Sequence, residues 1–516
     1  MPDQRLQRFV GGLSIGYLQT AVVAVVALWL TPYLLRHVGE HEFGLWLVGG
    51  QALSYLALAD LGIVALLPRE IAHATGAAGR PEAPRVSAVV QESATIVACQ
   101  MPVVAIVGVV AWLLIGSQWM ELRGPLAVAV VAFVLSFPLR VFPAMLQGFQ
   151  DLPYLGGVQL VTWVISSAVT VVLVEAGHGL YAIAAGWVVT QVLVVALSFR
   201  RLVREFPTTV PSFFPTLWTV GGFERVGRGL WVSVNQIAQV LLNGTDLMVV
   251  GWLLGPAAVV MYSCTGRLAT TLANQPQMFM QMAVPALSEL RAAAPRARLF
   301  EVSSAMSQAM LLGSGAIACV VIGVNQEFVS WWVGRERFGG SILTVLMLLS
   351  MMLRHLNVAV SYTLYSLGHE RRLALTGIAD GVVTVSSMFG LVPLFGLRGA
   401  VMGTIVGVSL ISLPANVRTL AREEGVSIVV ALRHLKSWAI RCGALLFIVG
   451  MSVNLWPPHS VWLVVAGAAI AAGYLVSMLP VLSAPPIGPM LARVIRPFLT
   501  VTPASAKQVN VATPSL

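Results

Sequence analysis

Arginine is costly inside a long apolar run, and this chain places two of them deep. Arg354 lies about 14 residues, or roughly 21 Å of helix, from the far end of its run, and Arg267 lies about nine residues, or roughly 13 Å, into another. At hydrocarbon depth such a group costs about 2.5–3.5 kcal/mol on insertion scales, so it faces a bundle interior or a wet cavity. A guanidinium there can grip phosphate oxygens in a bidentate fork, which suits an anionic substrate. Both arginines belong to polar stripes. At a helical advance of about 100° per residue, Asn235, Gln239, Asn243 and Asp246 fall within a sector of about 80°. Arg267, Thr271, Asn274 and Gln281 form a second stripe, and Ser350, Arg354, Asn357, Ser361 and Tyr365 a third. Each stripe has two readings: interhelical hydrogen bonds worth about 0.6 kcal/mol apiece, or the lining of a hydrophilic cavity. The stripes with an arginine favour the cavity. The expected substrate-binding set is therefore Arg267, Arg354, Asn235, Gln239, Asn243, Asn274 and Asn357. Asp60, Asp246 and Asp380 are the candidates for ion coupling, with a pairing of Asp246 and Arg267 left open. Arg140, between Pro138 and Pro143, is expected to snorkel from its helix end.

The elements that carry these residues must be membrane spans. Hydrophobic residues make up 57% of the chain and charged residues 10%, against roughly 25% charged in an ordinary soluble domain. The apolar residues come in runs of about 20, enough to cross a hydrocarbon core of roughly 30 Å. Fourteen spans are expected: 11–34, 44–68, 87–116, 125–147, 154–175, 180–199, 229–254, 258–284, 302–326, 340–366, 373–395, 399–417, 438–455 and 460–482. The first follows Arg5 and Arg8, exceeds a signal-peptide core in length, and is expected to stay on as a helix.

A net charge of +10 invites a nucleic-acid reading. The placement of the charge excludes it. With loops assigned alternately to the two sides, Arg36, Arg123, Arg335, Arg337 and Arg398 fall on one side, whereas the bulk of the Lys and Arg residues lie on the side of the N-terminus. The positive-inside rule then makes both termini cytoplasmic. Cys99, Cys264, Cys319 and Cys442 are scattered singly without metal or disulfide spacing and read as small hydrophobes.

The domain plan rests on a repeat. Gly39, Phe43 and Trp46 match Gly255, Val259 and Tyr262, and Gly179-Leu180-x-Ala182-Ile183-Ala184-x-Gly186 matches Gly396-Leu397-x-Gly399-Ala400-Val401-x-Gly403. Two matches at nearly one offset divide the chain into a six-helix lobe (1–205), a proline-bearing cytoplasmic linker (206–228), a second six-helix lobe (229–420), an additional helical pair (421–482) and a partly disordered tail (483–516). Each lobe has an even number of spans, so a pseudo-two-fold axis along the membrane normal relates them, as in transporters.

The phosphate-cradling chemistry of an ATP-driven pump is missing, and a multi-pass glycan-modifying enzyme stays as the lesser alternative. The two lysines, Lys436 and Lys507, follow no phosphate-cradling glycine pattern, no H-E-x-x-H occurs, and no cofactor or metal is expected. A multi-pass glycan-modifying enzyme would carry acidic residues in sizeable outer loops, and the outer loops here are short.

At the second span Gly39-x-x-x-Phe43-Gly44-Leu45-Trp46, followed by Leu58-Ala59-Asp60-Leu61-Gly62, resembles the opening signature of the polysaccharide transporter branch of the multidrug/oligosaccharidyl-lipid/polysaccharide exporter superfamily. Thr245-Asp246 leading to Gly251 and Gly255, Pro285-x-Leu287-Ser288-Glu289-Leu290, Trp331-Trp332-x-Gly334 and Gly396-Leu397-x-Gly399 fit the same branch. The resemblance implies two six-helix lobes around a central cavity. It also implies a bacterial inner-membrane flippase of polyprenyl-pyrophosphate-linked oligosaccharides for O-antigen, capsule or exopolysaccharide, working beside glycosyltransferases and a polymerase. Relatives that flip the peptidoglycan precursor use basic residues of the N-terminal lobe, and that site is not carried over. The alternative within the superfamily is a cation-coupled multidrug exporter.

Overall fold

In a computed structural model the described residues are 22–23, 25–78, 84–113, 115–116, 119–211, 220–293, 296–455 and 462–489. Most of the expected tail, half of the first span and the outer loop 456–459 lie outside them. The described elements are helices: α1 (Glu40–Leu56), α2 (Ile63–Ala78), α3 (Pro84–Leu113), α4 (Met120–Ser136), α5 (Val141–Gly148), α6 (Leu152–Glu175), α7 (Leu180–Glu205), α8 (Val220–Asn243), α9 (Thr245–Leu254), α10 (Pro256–Ala293), α11 (Arg296–Val333), α12 (Ser341–Ser366), α13 (Glu370–Phe395), α14 (Leu397–Gly407), α15 (Leu413–Glu424), α16 (Ile428–Arg433), α17 (Lys436–Leu455) and α18 (Leu463–Ser483).

Among the described residues nine helices are long and apolar enough to cross a membrane, and two bent pairs raise the count to eleven. Helices suit lipid because each satisfies its own backbone groups. Hydroxyls in the spans obey the same logic: Ser93, Thr170, Thr190, Ser314 and Thr363 each donate to the carbonyl four residues back.

Three expected spans are broken, each at a site its residues explain. The second breaks at Asp60-Leu61-Gly62: Leu61 is left-handed (φ 49°), Gly62 has φ 71°, and the Asp60 Oδ1 accepts the Gly62 N–H at 2.9 Å. The fourth bends by 56° between α4 and α5, where Pro138 lies just past Ser136. The seventh bends by 43° at Gly244, between α8 and α9. The twelfth span instead carries a π turn, Val408–Ser412, between α14 and α15. Helix α8 also begins at Val220, inside the expected linker.

Packing groups the residues into two compact units. The first comprises 1–271, 325–353 and 369–415, and the second 272–324, 354–368 and 416–516. The first unit has two buried cores, one around Leu45, Leu122, Val250, Val259 and Leu343 and one around Leu67, Val90, Phe137, Met145 and Leu202. In the second unit Met280, Met306, Met310 and Ala359 pack together, and the Trp438 Nε1 donates to the Tyr474 hydroxyl at 3.0 Å, joining α17 to α18.

The repeat is visible in the backbone. Gly39 (φ 102°, ψ 160°) and Gly255 (φ 90°, ψ 170°) share one conformation, and Gly179 (φ 50°, ψ −127°) and Gly396 (φ 60°, ψ −139°) share another. These are torsions that L side chains rarely adopt, so the matched positions require glycine.

Candidate functional site

Within the first unit, α8 packs on α13 through small residues: a Cβ on Gly377 would lie 3.0 Å from the Ala238 Cβ, and one on Gly381 would lie 2.8 Å from the Leu241 Cβ. Asn235 and Gln239 sit on the neighbouring face of α8 and are exposed. The Asn243 side chain lies outside the described residues. Asp246 does not continue this stripe, because the break at Gly244 restarts the helix as α9. There Asp246 accepts the Leu247 N–H at 2.9 Å and the Tyr262 hydroxyl. It is thus engaged by a tyrosine, while Arg267, half-buried on α10, makes no salt bridge among the described residues.

The second unit holds the other stripe residues. Asn274 is exposed and Arg354 half-buried. The Asn416 amide of α15 donates to the Asn357 Oδ1 at 2.9 Å and to the Ser361 hydroxyl at 3.2 Å. Asn357 is thus part of an α12–α15 hydrogen-bond bridge, the bland reading of that stripe position. The Gln281 side chain lies outside the described residues.

The remaining carboxylates are each held. Asp60, 2% exposed, faces the Arg140 Nη1 at 3.9 Å. Arg140 does not snorkel as expected: its guanidinium lies 5.6 Å from the Phe133 ring centroid and 5.7 Å from that of Phe137, drawn inward by the buried carboxylate. Asp380, fully buried on α13, accepts the Thr384 hydroxyl at 3.0 Å and the Ser412 hydroxyl from the π turn. A side chain at Gly407 would strike this cluster, at 2.0 Å from the Thr384 Oγ1 and 2.5 Å from the Asp380 Oδ1.

Several buried polar groups were not singled out from the sequence. His355, 1% exposed, shares a hydrogen bond with the Ser314 hydroxyl at 2.6 Å, and Asn325 donates to the Thr265 carbonyl and the Thr344 hydroxyl, both at 3.0 Å. Glu424 is buried and accepts the Ser303 hydroxyl. The signal for His355 was its place beside Arg354 in an apolar run.

One end of the first unit ties the two repeats together. The entry of α1 meets that of α10, its repeat counterpart, so closely that a Cβ on Gly44 would lie 2.2 Å from the Pro256 carbonyl oxygen. The Trp332 Nε1 donates to the Leu28 carbonyl, the Trp119 and Trp252 rings meet edge-on at 5.7 Å, and the Arg337 Nε lies 3.6 Å from the Glu40 Oε2.

A family model described as polysaccharide biosynthesis protein matches residues 11–291. The chain belongs to this family. Its fold is that of the multidrug/oligosaccharidyl-lipid/polysaccharide exporter superfamily. The lipid II flippase MurJ in an inward closed conformation aligns with a TM-score of 0.60 at 12% identity, over 94% of this chain and 99% of that one. An inward-facing multidrug resistance MATE family transporter gives 0.52 at 14% identity, over 81% and 99%. A eukaryotic MATE transporter gives 0.52 at 14%, over 90% and 99%. No curated protein sequence matches the chain. Helical in its described elements, this member of the family is a multi-pass membrane protein whose structural relatives include flippases and transporters.

Proposed function

We propose that this protein flips a polyprenyl-pyrophosphate-linked oligosaccharide from the cytoplasmic to the outer leaflet of a bacterial inner membrane, for surface polysaccharide assembly. Both termini are cytoplasmic, residues 1–205 and 229–420 act as the lobes, and the cycle is one of alternating access. The observation that carries this reading is Arg267: a half-buried guanidinium on α10 without a salt bridge among the described residues, in a chain of the polysaccharide biosynthesis family. Arg267 on the first unit and Arg354 on the second are each proposed as a phosphate-binding guanidinium. Asn235, Gln239, Asn243 and Asn274 are proposed to contact sugar hydroxyls, as is Asn357, whose side chain Asn416 holds. The closure of one end of the first unit supports a resting form sealed on the outer side, ready to load from the cytoplasm. Partner enzymes supply and consume the substrate: a glycosyltransferase on the inner face and a polymerase on the outer.

Arg267→Ala and Arg354→Ala, made at normal abundance, abolish surface-polysaccharide export, while the Lys variants retain part of it because charge remains without the fork. Full export from both Ala variants would sink the site assignment. The second reading, a cation-coupled multidrug exporter, draws on Asp380 and its two hydroxyl donors. Drug efflux that is lost in Asp380→Asn, alongside unchanged glycan export in a deletion strain, would favour it.

A further inference from the structure

The short helix α16 stands in an unusual place. One span ends at Glu424 and the next begins at Lys436, so residues 425–435 run along the level where hydrocarbon gives way to headgroups. The Ser427 hydroxyl opens the helix by accepting the Val430 N–H at 3.3 Å, and Ala431 and Leu435 pin it to the second unit, both being buried. Its other aliphatic side chains are uncovered: Ile428 is 44% exposed, Val429 77%, Val430 44% and Leu432 36%. Arg418, Arg422, Arg433, Lys436 and Arg441, all exposed, lie in the same stretch of chain, on α16 and at the adjoining ends of α15 and α17. The two carboxylates of this stretch offset them little, because Glu423 is half-buried and Glu424 is turned inward onto Ser303.

Exposed aliphatic side chains between two span ends, with exposed cations before, within and after them in the chain, are what an interfacial helix presents to acidic lipid. The cations lie at the right levels. Arg422, Arg433 and Lys436 flank the span ends, and Arg418 sits one turn below Arg422 on the same face of α15, within snorkelling reach. Arg441 lies one turn into α17 and spends one N–H on the Ser477 carbonyl at 3.3 Å, leaving the rest of its fork outward. We propose that α16 is an interfacial helix that docks on acidic phospholipid, with its valines and isoleucine in the acyl boundary and the surrounding arginines and lysine on headgroup phosphates. Lipid is the occupant because the flanking spans hold the helix at the bilayer surface at all times, whereas a soluble partner would have to displace that lipid first.

The test uses the full chain in nanodiscs. Val429→Cys, made with Cys99→Ser to remove the exposed native thiol, carries a fluorescent label, and so in a second protein does Val430→Cys. Lipids with brominated acyl chains quench a label that lies in the acyl boundary, and iodide quenches one that faces water. Val465→Cys on α18, also exposed, is the lipid-facing control. Quenching of both α16 labels is expected to be stronger with brominated phosphatidylglycerol than with brominated phosphatidylcholine in an equal mixture. Combining Arg422→Gln, Arg433→Gln and Lys436→Gln is expected to reduce that preference by about tenfold or more. Iodide quenching of both labels whatever the lipid, or an unchanged preference in the triple variant, overturns the proposal. So does shielding that arises only on adding a cytosolic protein fraction, which would mark a protein-docking surface instead.

Discussion

The Asp60–Arg140 pair joins a helix break to a helix bend. Asp60 caps the turn after α1 through the Gly62 N–H, and Arg140 lies at the α4–α5 bend, so the pair fastens two irregular places to each other. Removing either partner leaves the other charge short of compensation. The 3.9 Å separation and the 29% exposure of the Arg140 side chain make the pair weaker than a close, fully buried one. Asp60→Asn and Arg140→Gln are each expected to cost about 1–3 kcal/mol, and the double variant to cost less than their sum. Thermal unfolding in detergent checks this, and strict additivity would show that the two side chains do not interact. His434, in the connection before α17, makes a second residue-scale prediction. Burial pushes its imidazole down to about 4, the Ala431 carbonyl opposing. The unfolded chain, with an ordinary imidazole near about 6.5, therefore binds the extra proton between these values. Stability from His434 is complete above about pH 6.5 and declines as the pH falls towards about 4. His434→Gln should flatten the unfolding temperature over that window, and an unaltered pH slope would count against it. The sequence could mark Arg140 as unusual, but its prolines pointed to the helix end. The partner that overrides that expectation lies in another span, and no local pattern reports it.

The π turn between α14 and α15 shows how an element can be shaped by one cluster. A π turn inserts an extra residue into the helical ladder and rotates the helix beyond it. Here it brings the Ser412 hydroxyl onto Asp380, and Gly407 lets the two helices close around the carboxylate. Gly407→Ala is expected to cost about 1–3 kcal/mol by overpacking, despite alanine's better helix propensity. Gly390→Ala on α13 is the control, since nothing lies within 4 Å of its added Cβ. Equal unfolding temperatures for the two variants would refute the close approach. Elements of this kind were legible to different degrees. The glycines at 39, 179, 255 and 396 were readable because their torsions admit little else, and these positions revealed the repeat. The breaks at Gly62 and Gly244 and the π turn were not, because hydropathy over 20 residues is the same for a straight span and a broken one. The polar stripes suffered directly, since a straight-helix projection placed Asp246 on the face of Asn235 and Gln239 when the chain turns between them.

At the scale of the molecule, the superfamily fold was legible because membrane helices, charge asymmetry and a repeat are all long-range patterns in one dimension. Which repeat surfaces touch was not, because contact between repeats depends on shape at a few residues. The clearest such contact is Gly44 against Pro256, where the equivalent starts of α1 and α10 meet. An added Cβ would lie 2.2 Å from the Pro256 carbonyl oxygen and 2.6 Å from its carbon. These are backbone atoms that cannot swing aside as a side chain does, so Gly44→Ala must push the two helix entries apart. The edge-on Trp119–Trp252 contact and the Arg337–Glu40 pair belong to the same end. That ion pair is half-buried but loose, with 3.6 Å between its nearest atoms, and cannot restore the seal alone. If this end closes during each transport cycle, Gly44→Ala should lower export several-fold at unchanged abundance. It should also speed alkylation of a cysteine placed at Val48, which is 1% exposed on the next turn of α1. Gly50→Ala on the same helix meets nothing within 4 Å and should leave both readouts at the wild-type level. Slow alkylation with full export in Gly44→Ala would mean that the contact is a packing detail and not a gate. Fast alkylation with full export would mean that the end opens freely and that the transport step is limited elsewhere.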